Sequence, residues 1–246
     1  MLFLLEQVSK KSDLYIDQKI LKDLLLRSQH SFQELWLCDF KDPEGGLLTK
    51  KCFSKEYEDA IPLGTIEFVN TYFAIFHNTE MKPIEIPQCL RHEYFLKRKY
   101  DIVNYEDIPE DGRWFIKDAS KLKSFQCIGN KNNVENIEGH KYQVSEIIDI
   151  KSEYRVYFID GKLYSIANYN GDPCLLPDIE LIQNANMKYS LDKDYPSSYT
   201  MDVAVTGKGT CIIECHVLFS CGLYTTVLGP DFLQGYIDGK RFVLKV

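Results

Sequence analysis

The chain holds no CxxC pair among its eight cysteines, Cys38, Cys52, Cys89, Cys127, Cys174, Cys211, Cys215 and Cys221. That spacing excludes a zinc knuckle and a thioredoxin-like redox motif. No apolar run approaches the roughly 18 residues that a membrane-spanning helix needs. The opening MLFLLEQ has no basic leader, no long apolar core and no small-residue cleavage site. Together these predict a cytoplasmic protein without membrane attachment, its cysteines mostly reduced and buried. Positive charge is in short supply: 29 Lys and Arg stand against 36 Asp and Glu, a formal net charge of −7. An acidic surface disfavours binding to a nucleic-acid backbone, so no nucleic-acid partner is expected, although a local basic groove stays open. Internal repeats and low-complexity tracts are absent. So is a Ser/His/Asp or Cys/His set that would form a covalent intermediate.

What is present is ordinary globular material, 45% hydrophobic and 26% charged over 246 residues, enough for one large domain or two small lobes. MLFLLEQ reads as a strand. Apolar residues at Leu14, Ile16, Ile20, Leu21, Leu24 and Leu25 predict a helix over 14–26. ELWLCDF reads as a second strand, closed by the turn DPEGG, and GTIEFVNTYFAIFH, from Gly64, as a third. Residues 1–82 thus form a small α/β lobe. Pro83 and Pro87 mark a connection. CLRHEYFLKRKY, residues 89–100, reads as a helix with a basic, solvated side (Arg91, Lys97, Arg98, Lys99). Next come a strand, WFIK, and a lysine-bearing loop. The last hundred residues read as strand-rich: YQVSEIIDI, then EYRVYFI and GKLYSIANY joined by the hairpin turn Asp160–Gly161, then the pair in YTMDVAVTGKGTCIIECHVLFS. A helix over 176–187, entered from Pro177 and Asp178, interrupts them.

The last hairpin carries the chemistry. With Gly207, Lys208 and Gly209 as its loop, Asp202 falls directly opposite Glu214, with β-carbons about 5 Å apart. Opposed carboxylates repel, and a divalent cation between them removes the repulsion. His216 lies two residues on, on the face of Glu214. Asp202, Glu214 and His216 therefore offer a metal two oxygens and a nitrogen, a set that suits magnesium or, through the imidazole, manganese or zinc. The alternative is a solvated polar sheet face. Lys117 ends the strand WFIK, with Lys121 and Lys123 close behind; lysines there reach a bound phosphate or simply face solvent, the reading preferred for Lys121. Arg155, in mid-strand, needs an anion if buried: a phosphate, or Glu153 two positions away.

The order of these pieces resembles the ATP-grasp superfamily. The phrases WFIKDASKLKSF, VSEIIDIKSEYRVYFIDGKLY and SYTMDVAVTGKGTCIIECHVLFSCGLY are most similar to the clade named for two arginines and one lysine. The resemblance is clearest over 114–224. It implies an α+β fold whose nucleotide cleft lies between two α+β lobes, a lid lobe over 83–145 and a metal-binding lobe over 146–246, preceded by the lobe over 1–82. It implies that Lys117 and Lys123 bind ATP phosphates, and that Glu146, Ile147 and Ile148 hold adenine through their backbone, with Asp149 at the ribose. Arg155 would meet the γ-phosphate, and Asp202 and Glu214 would hold Mg2+, or Mn2+, under it. The implied activity is a carboxylate–amine ligase working through an acyl-phosphate, its amine acceptor a small amino acid, a peptide or a protein side chain. The alternative is a nucleotide-binding relative without ligase activity, acting as a regulatory or partner-binding module. An unrelated metal-dependent enzyme or a plain α+β scaffold stands behind both. The chain departs from the family's pattern at four places. Glycine is scarce after Lys117, and Asp118 stands where proline is common. No second arginine follows Arg155 by a dozen residues, which leaves Arg91, Arg98 or Arg113 to supply it. Finally, His216 occupies the place of an asparagine.

Overall fold

A computed structural model describes residues 1–122, 124–220, 222–225 and 228–245. The first lobe is built on β1 (Leu2–Glu6), which lies between β2 (Ser31–Leu35) and β3 (Ile61–Leu63), all parallel. Parallel neighbours need a crossover; helix α1 (Tyr15–Arg27) supplies the first. Phe3, Leu4 and Leu5 are all buried, so β1 reads as an unbroken apolar run because both its faces are covered.

Two expectations for this lobe need correction. β2 begins at Ser31 and ends at Leu35, and Leu37–Phe40 forms a 3-10 turn held by Asp39 Oδ2, which accepts from the Trp36 amide at 2.7 Å. The run from Gly64 is a helix, α2 (Ile66–His77). Its β-branched and aromatic residues favour strands. The Thr65 hydroxyl, however, accepts from the Phe68 amide at 3.0 Å and caps a helix. Phe68, Tyr72, Phe73 and Phe76 then bury one helical face.

The stretch 89–100 is likewise not one helix. It holds a 3-10 turn, Gln88–Leu90, and a single helical turn, α3 (Glu93–Leu96), ended by Lys97 at φ 51. The chain then enters β4 (Tyr100–Val103). Its basic residues are not all solvated: Arg98 is 6% exposed and donates to the carbonyls of Leu96 (3.1 Å) and Ile212 (2.8 Å).

The middle sheet is antiparallel, in the order β4, β7 (Tyr142–Ser145), β5 (Trp114–Asp118), β6 (Gln126–Gly129). β6 lies within the stretch read as a loop. The third sheet is also antiparallel, in the order β11 (Gly209–His216), β10 (Tyr199–Thr206), β8 (Ile150–Ile159), β9 (Lys162–Gly171). Asp160 and Gly161 both have positive φ, as the β8–β9 hairpin turn requires. The β10–β11 turn is one residue shorter than expected, since Thr206 pairs with Gly209. A bulge at Ile213 puts the lost residue back: Val203 pairs with Ile212, yet Asp202 pairs with Glu214. One face of this sheet, with Val156, Phe158, Met201, Val203 and Cys215, packs on α4 (Ile179–Tyr189). Asp178 caps that helix through the Leu181 amide at 3.1 Å.

The strand-rich reading of the last hundred residues misses the terminal helix α5 (Leu233–Leu244). Phe232, Leu233, Tyr236 and Ile237 join the core of the first lobe together with Tyr157 and Ile159 of β8. Lys240 is buried there and donates to the carbonyls of Glu58 (2.8 Å) and Ala60 (2.9 Å) and to the Tyr72 hydroxyl (2.8 Å).

The expectation of mostly buried cysteines is also overturned. The seven described cysteines are free, but only Cys211 and Cys215 are buried, while Cys38, Cys52 and Cys174 are exposed. Cys221 lies outside the described residues. Among the described residues no helix is long and apolar enough to cross a membrane.

Candidate nucleotide and metal site

The face of the third sheet opposite α4 presents two neighbouring rungs. Across one lie Ala167, Arg155, Asp202 and Glu214; across the next lie Ser165, Tyr157, Thr200 and His216. Strand alternation puts every member on the same face. Because β10 is central, Asp202 has Arg155 on one side and Glu214 on the other.

Arg155 uses that position fully. Its Nε and Nη2 donate to the two carboxylate oxygens of Asp202 at 2.8 and 2.7 Å, and Nη1 donates to the Gly222 carbonyl at 3.0 Å. The guanidinium lies 4.7 Å from the centroid of the Tyr224 ring, which stacks on Tyr169. Glu153 is therefore not its partner, contrary to the structural alternative raised from sequence. Residues i and i+2 of a strand are nearly 7 Å apart, further than directly opposed residues on neighbouring strands. Glu153 instead accepts from the Tyr169 hydroxyl at 3.0 Å and the Asn170 amide at 2.6 Å.

Glu214 joins the sheets. Lys117, at the end of β5 in the middle sheet, donates to its Oε1 at 2.9 Å, and His216 Nε2 lies 2.8 Å from its Oε2. Burial pushes the Glu214 carboxyl up, but the His216 hydrogen bond and charge, and then Lys117, outweigh burial and hold it well below the usual carboxylate range. Asp202, Glu214 and His216 each bring one ligand atom into a group spanning no more than 4.8 Å. Two carboxylates and an imidazole at that separation suit a divalent cation.

Two cavities meet at Glu214. One, of 520 Å³, is lined by Lys117, Lys121, Arg155, Glu214, His216 and Tyr224. The other, of 340 Å³, is an apolar slot between Phe115 and Ile128 of the middle sheet and Ile147, Ile148 and Ile213. Arg98, Glu146, Glu153 and Tyr169 also line it. A charged chamber thus adjoins an apolar slot, with Glu214 common to both. A third cavity, a groove of 1070 Å³, shares Pro83 and Ile84 with the charged chamber and runs between the 79–88 connection and α5.

The fold thus gathers Lys117, Arg155, Asp202, Glu214 and His216, and it brings Glu146, Ile147 and Ile148 to the slot. Asp149 does not line the slot and pairs with Lys151 at 2.5 Å, its side chain 79% exposed. Lys123 lies outside the described residues. Of the arginines considered as a second site cation, Arg98 reaches the slot, Arg91 donates to the Ile86 carbonyl at 2.8 Å, and Arg113 is exposed. Sequence reasoning missed Tyr169 and Tyr224, which flank Arg155. The even spacing of Tyr169 and Ala167 along β9 was the available signal for the first; nothing local marks the second.

A family model described as an ATP-grasp domain, family 2 of the clade named for two arginines and one lysine, matches residues 95–229, more than half of the chain. No curated protein matches the sequence. Among solved structures the fold is similar to D-cycloserine synthetase DcsG, with TM-score 0.55 and 10% identity over 98% of this chain and 100% of that one. It is also similar to D-alanine–D-alanine ligase from Bacillus anthracis, with TM-score 0.52 and 11% identity over 99% of this chain and 95% of that one. The same ligase complexed with ATP gives 0.51 and 12% over the same shares.

Proposed function

Since the chain belongs to the ATP-grasp family, in the clade named for two arginines and one lysine, we propose that it is an ATP-dependent carboxylate–amine ligase. The observation that carries this reading is the Lys117–Glu214 pair, which joins two sheets beside the Arg155–Asp202 pair, at the mouth of an apolar slot. Adenine enters the slot against Ile128 and Ile213, read by the backbone of 146–148, with Glu153 better placed than Asp149 for the ribose. A divalent cation held by Asp202 and Glu214 would neutralise charge on the β- and γ-phosphates.

The chain's own groups do the rest. With ATP bound, Lys117 turns from Glu214 to the phosphates, and Arg155 meets the γ-phosphoryl group as the substrate carboxylate attacks it. The carboxylate oxygen bonds to phosphorus, the bond to the β-phosphate oxygen breaks, and ADP leaves. An amine then attacks the acyl-phosphate carbon; phosphate departs with the C–O electron pair, the amine loses a proton, and an amide remains. The protein's contribution is positioning and preset charge, as phosphoryl transfer requires. The 1070 Å³ groove is large enough to admit a peptide-sized acceptor.

The test is a co-crystal with Mg2+ and AMPPNP, followed by a screen of amino acids and peptides for release of ADP and phosphate. A nucleotide bound away from Lys117 and Glu214 would sink the reading. One observation favours a second reading, a nucleotide-binding relative without ligase chemistry: the Arg155 fork is already taken up by Asp202. AMPPNP binding in the slot without ADP release under any acceptor would favour it.

A further inference from the structure

Thr200 is fully buried, and its Oγ1 is the one side-chain hydroxyl among the described residues buried without a hydrogen-bond partner. Such a group is costly to leave unsatisfied, so its partner is to be sought among the groups that face it. The register says where it stands. Thr200 pairs directly with His216 on β11 and sits two residues from Asp202 on β10, so its side chain falls on the face of the metal-ligating set. Directly opposed side chains have β-carbons about 5 Å apart.

His216 is the partner with a need for it. Its Nε2 bonds Glu214 Oε2 at 2.8 Å. An imidazole that gives one nitrogen to a metal hands the N–H of the other to an acceptor, which fixes the ring's tautomer and direction. No hydrogen bond joins the two side chains here; the Thr200 hydroxyl, unpaired directly opposite, is the acceptor left open to that N–H when the ring turns to a metal. We propose that His216 is a metal ligand oriented by the Thr200 hydroxyl, and that this pair makes the site prefer Mn2+ to Mg2+. This rests on the metal-site part of the functional reading above. An all-oxygen set suits Mg2+; an imidazole nitrogen adds affinity for transition ions and little for magnesium. An asparagine at this position would offer a carbonyl oxygen instead.

The experiment uses Mn2+ as probe, with and without AMPPNP, read by pulsed electron paramagnetic resonance on protein of natural abundance and on protein with 15N-histidine. Bound Mn2+ should show nitrogen coupling that changes from the 14N to the 15N pattern with the label and vanishes in His216→Asn. In Mn2+/Mg2+ competition, the preference for Mn2+ should fall about tenfold or more in His216→Asn. It should fall, by less than in His216→Asn, in Thr200→Val, which removes the outer partner of the ligand, and an unchanged preference there would remove Thr200 from the site. Circular dichroism melts establish that each variant is folded. Mn2+ bound without nitrogen coupling, or an unchanged preference in His216→Asn, overturns the proposal. Nitrogen-coupled Mn2+ with no AMPPNP binding would keep this site and remove the ligase reading. AMPPNP-dependent Mn2+ uptake without the coupling would do the reverse, and no Mn2+ uptake at all would remove both.

Discussion

Lys117 and Glu214, 97 positions apart in sequence, meet at 2.9 Å and tie the middle sheet to the third across the mouth of the apolar slot. Neither side chain is fully enclosed: they are 18% and 31% exposed, so a ligand can reach both. On the proposed function the pair is exchanged when nucleotide binds, the carboxylate passing to a cation and the ammonium to phosphate. Glu214→Gln should therefore lower the affinity for Mg2+ and AMPPNP together by about tenfold or more, the scale of one charged hydrogen bond. Titration calorimetry measures it, and wild-type affinity in the variant would remove Glu214 from the site. The melting temperature should fall modestly, because the pair is half-buried rather than enclosed.

The Arg155–Asp202 pair behaves differently, because its side chains are only 7% and 4% exposed. Asp202→Asn takes from the buried guanidinium the carboxylate that its Nε and Nη2 both bond. Breaking a buried pair this way costs about 3–5 kcal/mol. Replacing both, as Arg155→Met with Asp202→Leu, should cost clearly less than the sum of the single changes. Urea unfolding of the three variants decides it; additive losses would show that the two do not act as a unit.

Ile128 is 53% exposed at the edge of the slot, so it can be enlarged without disturbing a core. Ile128→Trp should fill the slot and weaken AMPPNP by about tenfold, while Mn2+ uptake measured without nucleotide stays at the wild-type level; a loss of about one or two kcal/mol of packing space has that effect. If AMPPNP bound the variant normally, the adenine would have to lie elsewhere.

Lys240 links α5 to the first lobe, and burial brings its ammonium down from 10.5 to about 8, with Asp59 and Glu58 opposing. Between those values the unfolded chain holds more protons than the folded one, so stability rises as pH climbs from about 8 to 10.5 and the contribution is lost as pH falls through 8. Melting temperatures across that range should rise for the wild type relative to Lys240→Met. The variant itself should be destabilised by about 1–3 kcal/mol, since it strips a donor from the carbonyls of Glu58 and Ala60. Parallel pH profiles for the two proteins would refute the assignment.

Periodicity made several elements legible. β1, α1, β5 and the β8–β9 hairpin stand where alternation, helical spacing and the Asp160–Gly161 turn put them. The pairing of Asp202 with Glu214 was legible too, though through two offsets that cancel: a shorter turn and a bulge at Ile213. A bulge leaves no mark in local composition, because it is set by how the strand must bend over its neighbours. α2 is a helix against its strand-favouring composition, because the Thr65 cap and the packing of Phe68, Tyr72 and Phe76 override propensity. The helix expected over 89–100 failed for a similar reason, since Arg98 satisfies the Ile212 carbonyl in the interior instead of facing solvent.

What the sequence determined by itself is the set of chemical groups and their order along the chain: a strand-ending Lys117, Arg155 in mid-strand, and Asp202, Glu214 and His216 on two strands of one hairpin. Strand alternation is local, so which of these share a face follows from counting residues. Which of them touch does not. Only the tertiary structure gave Arg155 to Asp202 instead of Glu153, brought Lys117 across to Glu214, and left the Thr200 hydroxyl unpaired opposite His216. Those contacts depend on strand order and on how two sheets meet, and both are set by burying apolar faces far from the site in sequence.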